Sequence, residues 1–361
     1  MKKLSVLFAL VLLFLAGCSI PAGDTVCLNG KDSYQVTLLG DIHYDGPQYH
    51  AKPLTERAAK LHYTQWKGIS QQVLSAAAKQ SKEETAFAVQ LGDLINGDCD
   101  NAKLQGAALT DAFAMLKGFF KDKKLFVIRG NHDHRGKSNA VAAPARYLVP
   151  LLNKELGRNV MSEYLNYAIR YGRDLYIFYD YLSPDAGVFT RRAIAQNSDA
   201  RHIFFLTHLP MFPCSIGNPG WVVPQFRELI PLLAKHNAVV ICAHTHSMNY
   251  IIYKCGTEKL QQITVTSMGR EWKQTPPEKV RCNSFDEWKK GIRPQYFTTP
   301  KYKWSIENLN FFRNEDFLTY RVGHLAPSGF VKLEINNERV SVHIFTDDSG
   351  KPAYTTVLKD K

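Results

Sequence analysis

Five short apolar runs in this chain are each followed directly by a small group of aspartate, asparagine or histidine residues. The runs are rich in Val, Ile, Leu and Phe, as is typical of β-strands, and several are apolar at consecutive positions, which indicates burial of both faces. They are Tyr34–Leu39, Thr85–Leu91, Lys124–Arg129, His202–Thr207 and Ala238–Ala243. Longer helix-like segments, Leu54–Gln80 and Ala102–Lys121, separate the first three. Strands that alternate with helices predict an α/β fold, in which ligands bind at the carboxyl ends of the strands.

The polar groups after these runs consist of the residue types that bind divalent metal ions in proteins. In chain order they are Asp41 with His43, Asp93, Asn131 with His132 and Asp133, His208, and His244 with His246. Carboxylate, amide oxygen and neutral imidazole together suit Mn, Fe or Zn better than Mg, which prefers oxygen. Because every group follows a strand, we expect side chains that are distant in sequence to meet in one pocket.

The spacing within the groups supports a shared metal site. Asp41 and His43 are two residues apart, so on a strand their side chains would lie on one face, and His244 and His246 repeat this spacing. The glycines that precede the first three groups allow tight turns that direct the next side chain inward. Asp93 is the natural bridging ligand, because one carboxylate can bind two metal ions. Two ions about 3.5–4 Å apart can hold a phosphoryl group and activate water for in-line attack.

The ordered set of motifs resembles the signature of the calcineurin-like metallophosphoesterases. That signature reads Asp-x-His, Gly-Asp, Gly-Asn-His-Asp, a single His and x-His-x-His, and the resemblance covers roughly residues 34–268. It implies an αββα sandwich, in which two mixed β-sheets pack face to face and are flanked by helices. Gln261–Ser267 has the pattern of a further strand, and Phe330–Glu334 with Val340–Phe345 that of a closing β-hairpin.

The resemblance also implies a role for each polar residue. One metal ion would be held by Asp41, His43, Asp93 and His246. The other would be held by Asp93, Asn131, His208 and His244. His132 would bind no metal, and it would polarise the phosphate or protonate the leaving group with help from Asp133. A hydroxide that bridges the two ions would attack the phosphorus atom.

Two positions depart from the family pattern. Ala243 stands where the last motif usually begins with Gly, and Asn96-Gly97 stand where the protein phosphatases of this family carry Asp-Arg. The phosphate-binding Arg is therefore absent. The segment after Asp93 also lacks the metal-binding Tyr of purple acid phosphatases, which argues against an iron–tyrosinate centre.

Several residues outside the core motifs are candidates for the pocket wall. They are Tyr44, His50, Asn96 and His134. A guanidinium in place of the absent one could come from Arg135 or from Arg191-Arg192, which lie in other loops.

The first 18 residues have the pattern of a bacterial lipoprotein leader. Lys2 and Lys3 precede an apolar stretch, Leu4–Ala16, and the sequence Leu-Ala-Gly-Cys ending at Cys18 resembles a lipobox. This implies a signal peptide at residues 1–17, lipidation of Cys18 and attachment to the cell envelope. Ser19 favours the outer membrane if the cell is Gram-negative. An ordinary signal peptide or a short membrane anchor is the alternative, although the apolar stretch is too short for a typical span.

The rest of the chain reads as a tether and one catalytic domain. We expect the tether at residues 18–33 and the domain at residues 34–361, with an irregular, aromatic-rich insertion at about 270–328. The cysteines left after Cys18 are Cys27, Cys99, Cys214, Cys242, Cys255 and Cys282. Their even number permits disulfides in an exported protein, and Cys242 lies in an apolar run typical of a buried thiol.

Charge and motifs together predict the function. The net charge is +12, or +10 without Lys2 and Lys3, which favours anionic substrates; no basic run of the kind that binds nucleic acid is present. We therefore expect an exported, lipid-anchored phosphoesterase that uses two divalent transition-metal ions to hydrolyse a phosphodiester, a nucleotide or another small phosphoester. The alternatives are an envelope nuclease of the same chemistry and a binding lipoprotein that has lost catalysis.

Overall fold

A computed structural model describes the parts of the chain that form the sheets, the helices and the predicted site. These parts are residues 25–50, 66–136, 140–161, 164–215, 222, 224–269, 272, 282–294, 303–312, 317–325 and 328–360. The predicted signal peptide, Cys18 and the first part of the predicted tether lie outside the described residues.

The larger of two β-sheets has eight strands in the order β1-β5-β6-β7-β8-β10-β9-β11. Strands β6, β7, β8 and β10 run parallel. Strand β5 is antiparallel to β6 and parallel to β1, and β9 is antiparallel to both β10 and β11, so the sheet is mixed. The bounds are β1 Thr25–Leu28, β5 Tyr167–Tyr171, β6 Asp174–Tyr179, β7 Ile203–Thr207, β8 Val239–Cys242, β9 Met248–Cys255, β10 Glu258–Thr264 and β11 Phe317–Leu325.

The smaller sheet has six strands in the order β14-β13-β12-β2-β3-β4. Strands β2, β3 and β4 are parallel, and the hairpin of β12 and β13 continues the sheet on the other side of β2 in antiparallel fashion. The bounds are β2 Ser33–Leu39, β3 Thr85–Gln90, β4 Lys124–Val127, β12 Phe330–Asn336, β13 Arg339–Phe345 and β14 Tyr354–Lys359.

Seven α-helices lie in the described residues and connect or cover the strands. They are α1 Gln71–Gln80, α2 Ala102–Phe119, α3 Ala143–Leu156, α4 Ala186–Gln196, α5 Ile230–Lys235, α6 Phe285–Lys290 and α7 Lys303–Phe311. Helix α2 begins where the side chain of Asn101 accepts a hydrogen bond from the Leu104 backbone N–H, and α3 ends at Gly157 in the left-handed conformation.

The alternation of side chains along the larger sheet separates two cores. In β6, Tyr176 and Phe178 point into the layer between the sheets, whereas Leu175 and Ile177 point toward the helices on the other side. The inner layer joins both sheets directly, since the ring of Phe87 in β3 packs edge-on against Tyr176 at 5.1 Å between ring centroids. Both faces of this sheet are therefore buried, which explains the unbroken apolar runs in the sequence.

This architecture confirms the predicted αββα sandwich. Each of the five predicted strands is present with ends shifted by no more than two residues, and the predicted strand at 261–267 and the closing hairpin are present as β10, β12 and β13. Helix α2 matches its prediction, and the described part of the predicted helix at 54–80 contains a π-helical turn, Trp66–Ser70, followed by α1.

Two predictions about irregular segments are wrong in part. Thr25–Leu28 belongs to the larger sheet, where it pairs in parallel with β5, so these four residues of the predicted tether at 18–33 are part of the fold. The predicted irregular insertion at about 270–328 contains two helices and the nine-residue strand Phe317–Leu325. Both strands pair with partners that are distant in sequence, Thr25–Leu28 with β5 and Phe317–Leu325 with β9.

The described residues contain no helix with the length and apolar character needed to cross a bilayer. Cys242 is a buried thiol, as predicted, and its Sγ lies 3.3 Å from the hydroxyl oxygen of Thr264. Burial raises the pKa of this thiol, so it stays protonated and packs as a small apolar group.

Candidate metal centre

The seven predicted metal ligands come together at the carboxyl ends of strands from both sheets. Strands β2, β3 and β4 of the smaller sheet and strands β7 and β8 of the larger sheet lead into the loops that carry them. The smaller sheet supplies Asp41, His43, Asp93 and Asn131, and the larger sheet supplies His208, His244 and His246. The structure thus brings together residues separated by as many as 205 positions in sequence (41 to 246).

The backbone is unusual where it carries these side chains. Seven non-glycine residues in the described part of the chain have a positive φ, and four of them are predicted ligands. These four are His43 (52°), Asp93 (53°), His244 (69°) and His246 (54°). A left-handed conformation costs a residue with a Cβ roughly 1–2 kcal/mol, and such conformations cluster at functional sites. The surrounding fold therefore holds the ligands in place against their local preference.

Two glycines are required here by close approach of neighbouring chain segments. Gly92 has a φ of +90°, and a Cβ at this position would lie 2.5 Å from Nδ1 of His208. A Cβ on Gly130 would overlap the backbone nitrogen of Asp93. The loops after β3, β4 and β7 can therefore meet only because the residues before Asp93 and Asn131 lack side chains.

One group of donor atoms consists of Asp41, His43 and His246, whose ligand atoms lie within 4.8 Å of one another. Nε2 of His43 is 3.2 Å from Nε2 of His246, which is 3.4 Å from Oδ1 of Asp41. Oδ1 of Asp41 and Nδ1 of His43 are buried without a hydrogen-bond partner. Two facing imidazole nitrogens can share one proton at most, whereas a bound cation would satisfy both nitrogens and the orphaned carboxylate oxygen.

A second group consists of Asp41, Asp93, His208 and His244, again within 4.8 Å. Nε2 of His208 is 3.1 Å from Nδ1 of His244, 3.4 Å from Oδ1 of Asp93 and 3.0 Å from Oδ1 of Asn131. Asp93 also belongs to a third group with His43 and His132, so its carboxylate lies between the two halves of the site.

Hydrogen bonds outside the groups orient several ligands. Nδ1–H of His208 donates to the Leu91 carbonyl at 2.8 Å, which leaves Nε2 free to bind a metal ion. Oδ2 of Asp41 accepts from the His244 backbone N–H at 3.1 Å, and Oδ1 of Asp93 accepts from the His132 N–H at 2.7 Å. The ligands are thus positioned before any ion binds.

The electrostatics of the site favour a cation. Burial lowers the pKa of His43 and of His244 to about 3, so both rings are neutral and available as ligands. Burial would raise the pKa of Asp41, but the neighbouring His246 and His208 outweigh it and lower that pKa to about 2. Burial would lower the pKa of His208, but Asp93 outweighs it and raises that pKa to about 9. A charged carboxylate pair that draws a proton onto His208 fits the binding of divalent metal ions.

His132 faces the centre without belonging to the two groups of predicted ligands. Its Nδ1–H donates to the Asn96 carbonyl at 2.7 Å, and its Nε2 lies 4.0 Å from Oδ2 of Asp93 and 3.2 Å from Nη1 of Arg135. Burial lowers the pKa of its imidazolium, and Arg135 acts in the same direction. The ring thus presents Nε2 toward the space beside the carboxylate of Asp93.

Asp133 bonds through its carboxylate to backbone N–H groups of two loops. It is fully buried, and its carboxylate accepts hydrogen bonds from the backbone N–H groups of Ile95 at 3.0 Å and Gly130 at 2.7 Å. The ring of His132 bonds to the Asn96 carbonyl instead. Asp133 therefore supports the turn that carries His132, and its help to His132 in catalysis stays a prediction.

The structure gives contacts for the other residues that were predicted to lie near the pocket. His50 and Asn96 both contact the buried carboxylate of Asp45, at 2.9 Å to Oδ1 and 3.4 Å to Oδ2 respectively. His134 contacts the Gly130 carbonyl at 3.1 Å, and the guanidinium of Arg191 pairs with Glu228. Asp45 was not predicted as part of the site.

Sequence reasoning could have found Asp45. It stands two residues after His43, so it continues the alternation that begins at Asp41. The partner of Arg135 was also missed: Oδ2 of Asp98 lies 2.5 Å from Nη2 of that guanidinium. No motif marks Asp98, and only the packing of its loop against residues 132–135 places it there.

The fold and the site together define a class of protein. The fold is a two-sheet α/β sandwich, and carboxylate, amide and imidazole groups meet at the ends of its strands. These are the features of a metallophosphoesterase, a hydrolase of phosphoesters. The chain belongs to the calcineurin-like phosphoesterase family. The sequence model of that family matches residues 34–248, a stretch that contains all seven predicted ligands and His132.

Solved structures of distant sequence share the fold. GAP50, described as the anchor in the inner membrane complex of Plasmodium, is 14% identical with a TM-score of 0.50, over 92% of this chain and 90% of that one. Purple acid phosphatase PPD1 from yellow lupin (Lupinus luteus) seeds is 12% identical with a TM-score of 0.56, over 94% of this chain and 54% of that one. PhoD is 11% identical with a TM-score of 0.51, over 93% and 70%. No curated protein matches the chain in sequence.

Proposed function

We propose that this protein is a dinuclear metal-dependent phosphoester hydrolase of the bacterial cell envelope, acting on phosphodiesters, nucleotides or other small phosphoesters. The observation that carries the proposal is the convergence of ligand atoms into overlapping groups that share Asp41 and Asp93, each group within 4.8 Å. One ion would be held by Asp41, His43, Asp93 and His246. The other would be held by Asp93, Asn131, His208 and His244.

The donor set fits Mn, Fe or Zn, because imidazole nitrogens contribute alongside oxygens. When bound, the two ions polarise the phosphate oxygens and lower the pKa of water to the neutral range. The protein holds the ligands in fixed positions: the Leu91 carbonyl sets the ring of His208, and the Asp41 carboxylate is held by the His244 backbone N–H. Binding of the ions would displace the proton that Asp93 otherwise draws onto His208.

His132 would carry the proton transfer on the leaving-group side. During hydrolysis the water oxygen forms a bond to phosphorus, the bond from phosphorus to the leaving oxygen breaks, and the leaving oxygen takes a proton. Because Nδ1–H of His132 is engaged by the Asn96 carbonyl, Nε2 is the atom that would take up a proton, and the imidazolium formed would polarise the phosphate or give this proton to the leaving oxygen. The proton lost by water balances the proton given to the leaving group.

A metal-supplemented screen of phosphomonoesters, phosphodiesters and nucleotides tests this function. We expect turnover with Mn, Fe or Zn and none after removal of the ions by a chelator, with activity restored by adding metal back. Turnover that persists unchanged in the chelated protein would contradict the proposal. The likeness to GAP50, which is described as an anchor, concerns the fold alone. A ligand set that is complete favours hydrolysis over a purely binding role.

The absence of an arginine at position 97 leads to a prediction about substrate class. Gly97 has a φ of +72°, and a side chain there would overlap the carbonyl of His132, so no guanidinium can project from this turn. Arg grips a phosphate dianion with two hydrogen bonds, which favours monoesters. We expect bis(p-nitrophenyl) phosphate or nucleotides to be cleaved with a higher kcat/KM than phosphoserine or phosphothreonine peptides. Preference for the phosphopeptides in a side-by-side kinetic comparison would contradict this expectation.

The envelope location is proposed from the leader sequence and predicts dependence on Cys18. A single acyl chain binds membranes only marginally, whereas several chains together anchor a protein firmly. Cys18→Ser should therefore abolish incorporation of labelled palmitate and leave an uncleaved precursor in cell fractions. Cys27→Ser, which lies beyond the predicted cleavage point, is the matched control and should mature normally. Unchanged palmitate labelling of Cys18→Ser would rule out the lipoprotein assignment.

A further inference from the structure

Arg135 has a guanidinium beside the proposed catalytic histidine. Nη1 of Arg135 lies 3.2 Å from Nε2 of His132, and Nη2 lies 2.5 Å from Oδ2 of Asp98. The side chains of Arg135 and Asp98 are 43% and 49% exposed, so a substrate can reach them. A guanidinium has five N–H donors, and these two contacts leave others for a ligand.

The backbone around Arg135 is fixed by a second loop. The N–H of Arg135 donates to the His132 carbonyl at 3.1 Å, and its carbonyl accepts from the Asp98 N–H at 2.7 Å. Gly97 packs so closely against this turn that a side chain there would meet the carbonyls of His132 and Arg135. Asp98 itself has a φ of 55°, in the left-handed region that residues with a Cβ rarely adopt. The loops therefore hold Arg135 and Asp98 in a defined relation to His132.

The position of this guanidinium indicates the part of the substrate it would meet. The predicted ligands surround the attacked phosphoryl group, and His132 lies beside them with Nε2 at 4.0 Å from Oδ2 of Asp93. If His132 protonates the leaving oxygen, a group in contact with His132 on the side of the exposed Asp98 lies next to the leaving group. A cation at that point favours a leaving group that itself carries negative charge.

We propose that Arg135, positioned by Asp98, is a specificity residue that binds an anionic leaving group, such as the inner phosphate of a nucleoside diphosphate. This assignment rests on the proposed hydrolytic function. In the reaction with ADP, water attacks the terminal phosphorus, the bond to the bridging oxygen breaks, and AMP leaves as this oxygen takes a proton. Arg135 binds the phosphate of the departing AMP through the N–H groups that its contacts with His132 and Asp98 leave available.

Kinetics with two substrates test the assignment at a fixed concentration of free Mn. The leaving group of ADP is AMP, which carries a phosphate. The leaving group of p-nitrophenyl phosphate is p-nitrophenol, which carries none. Removal of a charge-assisted hydrogen bond typically costs about 10- to 100-fold, so Arg135→Ala should lower kcat/KM for ADP by that factor and change kcat/KM for p-nitrophenyl phosphate little. Arg135→Lys should restore part of the loss, because it keeps the charge but not the planar fork.

Two further variants separate specificity from a structural role. If Arg135 serves only as the ion-pair partner of Asp98, Asp98→Asn should reproduce the full loss of kcat/KM for ADP; we expect a smaller loss, because Asp98→Asn removes the positioning contact and leaves the charge of Arg135 in place. Arg191→Ala, which breaks the pair with Glu228, is the matched control for removing a partly exposed arginine and should leave both substrates unaffected.

Three results would overturn the assignment. Equal losses for ADP and p-nitrophenyl phosphate would mean that Arg135 acts on the attacked phosphate or on His132. A shift of the pH profile for both substrates alike would mean that it acts only by lowering the pKa of His132. If the unmodified protein cleaves p-nitrophenyl phosphate but not ADP, it has no site for an anionic leaving group. Failure to cleave either substrate would instead contradict the proposed function.

Discussion

Replacing Asp93 by asparagine should empty both halves of the metal centre and remove measurable hydrolysis. Asp93 is the residue whose carboxylate lies between the two groups, at 3.4 Å from Nε2 of His208 and 3.9 Å from Nε2 of His43. Asparagine has the same shape but lacks the negative charge and the second oxygen that bridging requires. Elemental analysis should find about two transition-metal ions per unmodified chain, the number that such a clamp requires, and close to none in Asp93→Asn.

A matched control distinguishes loss of the metal ligand from general damage to the protein. Asp199 is an exposed carboxylate that pairs with Arg170, so Asp199→Asn removes the same charge and should retain metal and activity. The far-UV circular dichroism of both variants should match that of the unmodified protein. An Asp93→Asn protein with full metal content, or an active unmodified protein without metal, would show that the bridging assignment is wrong.

His132→Ala should keep its metal ions and lose about 10²- to 10⁴-fold in kcat, the usual contribution of general acid–base catalysis. The imidazole is held by the Asn96 carbonyl and is available for proton transfer at Nε2. Removal of the ring leaves all seven predicted ligands in place, so metal content separates this variant from Asp93→Asn. The loss should be smallest for substrates with a good leaving group, since such groups depart without a proton.

His343→Ala is the matched control for loss of an imidazole. This histidine lies on β13, where its Nδ1 is 3.0 Å from the Thr355 hydroxyl, and its loss should change neither metal content nor kcat. If His132→Ala turns over like the unmodified protein, the catalytic role fails. If it loses metal as Asp93→Asn does, His132 belongs to the ligand set instead.

The sequence was most informative where structure depends on local pattern. The parallel strands in the middle of both sheets are buried on both faces, so runs such as Ile203–Thr207 stand out as continuous apolar segments. The ligands follow these strands directly, and fold geometry alone then gathers them at one edge. The resemblance to the family then implied the ligand set before any contact between the sheets was known.

The strands outside the five apolar runs were harder to predict, because their order depends on partners distant in sequence. The hairpin of β5 and β6 contains Arg170 and Asp174, which interrupt the apolar pattern. In the structure Arg170 pairs with Asp199, and the buried Asp174 pairs with Arg201 at 2.5 Å. Strand β11 similarly depends on pairing with β9. Charged residues in such strands are tolerated only once these contacts exist.

The fine structure of the site could not be predicted for a related reason. Backbone carbonyls orient two of its histidines, at Leu91 and Asn96, and a carbonyl has no signature in the sequence. The resemblance implied that Asp133 helps His132, but it gave no indication that the carboxylate would bond to the backbone of the turn. In the turn, neighbouring side chains point in different directions, and Asp133 bonds to backbone N–H groups of two loops.

The division of the ligands between the two sheets has a consequence for the lifetime of the protein in the cell. Asp41, Asp93 and Asn131 extend from one sheet, and His208, His244 and His246 extend from the other, so bound ions tie the halves of the sandwich together across their shared edge. Ligands that bind only the native state stabilise it by about 4 kcal/mol at a thousand times their dissociation constant, against a typical net stability of about 5–15 kcal/mol. Scarcity of transition metal would then open the edge between the sheets to proteases, and the supply of metal would govern how much of the enzyme persists as well as how fast it works.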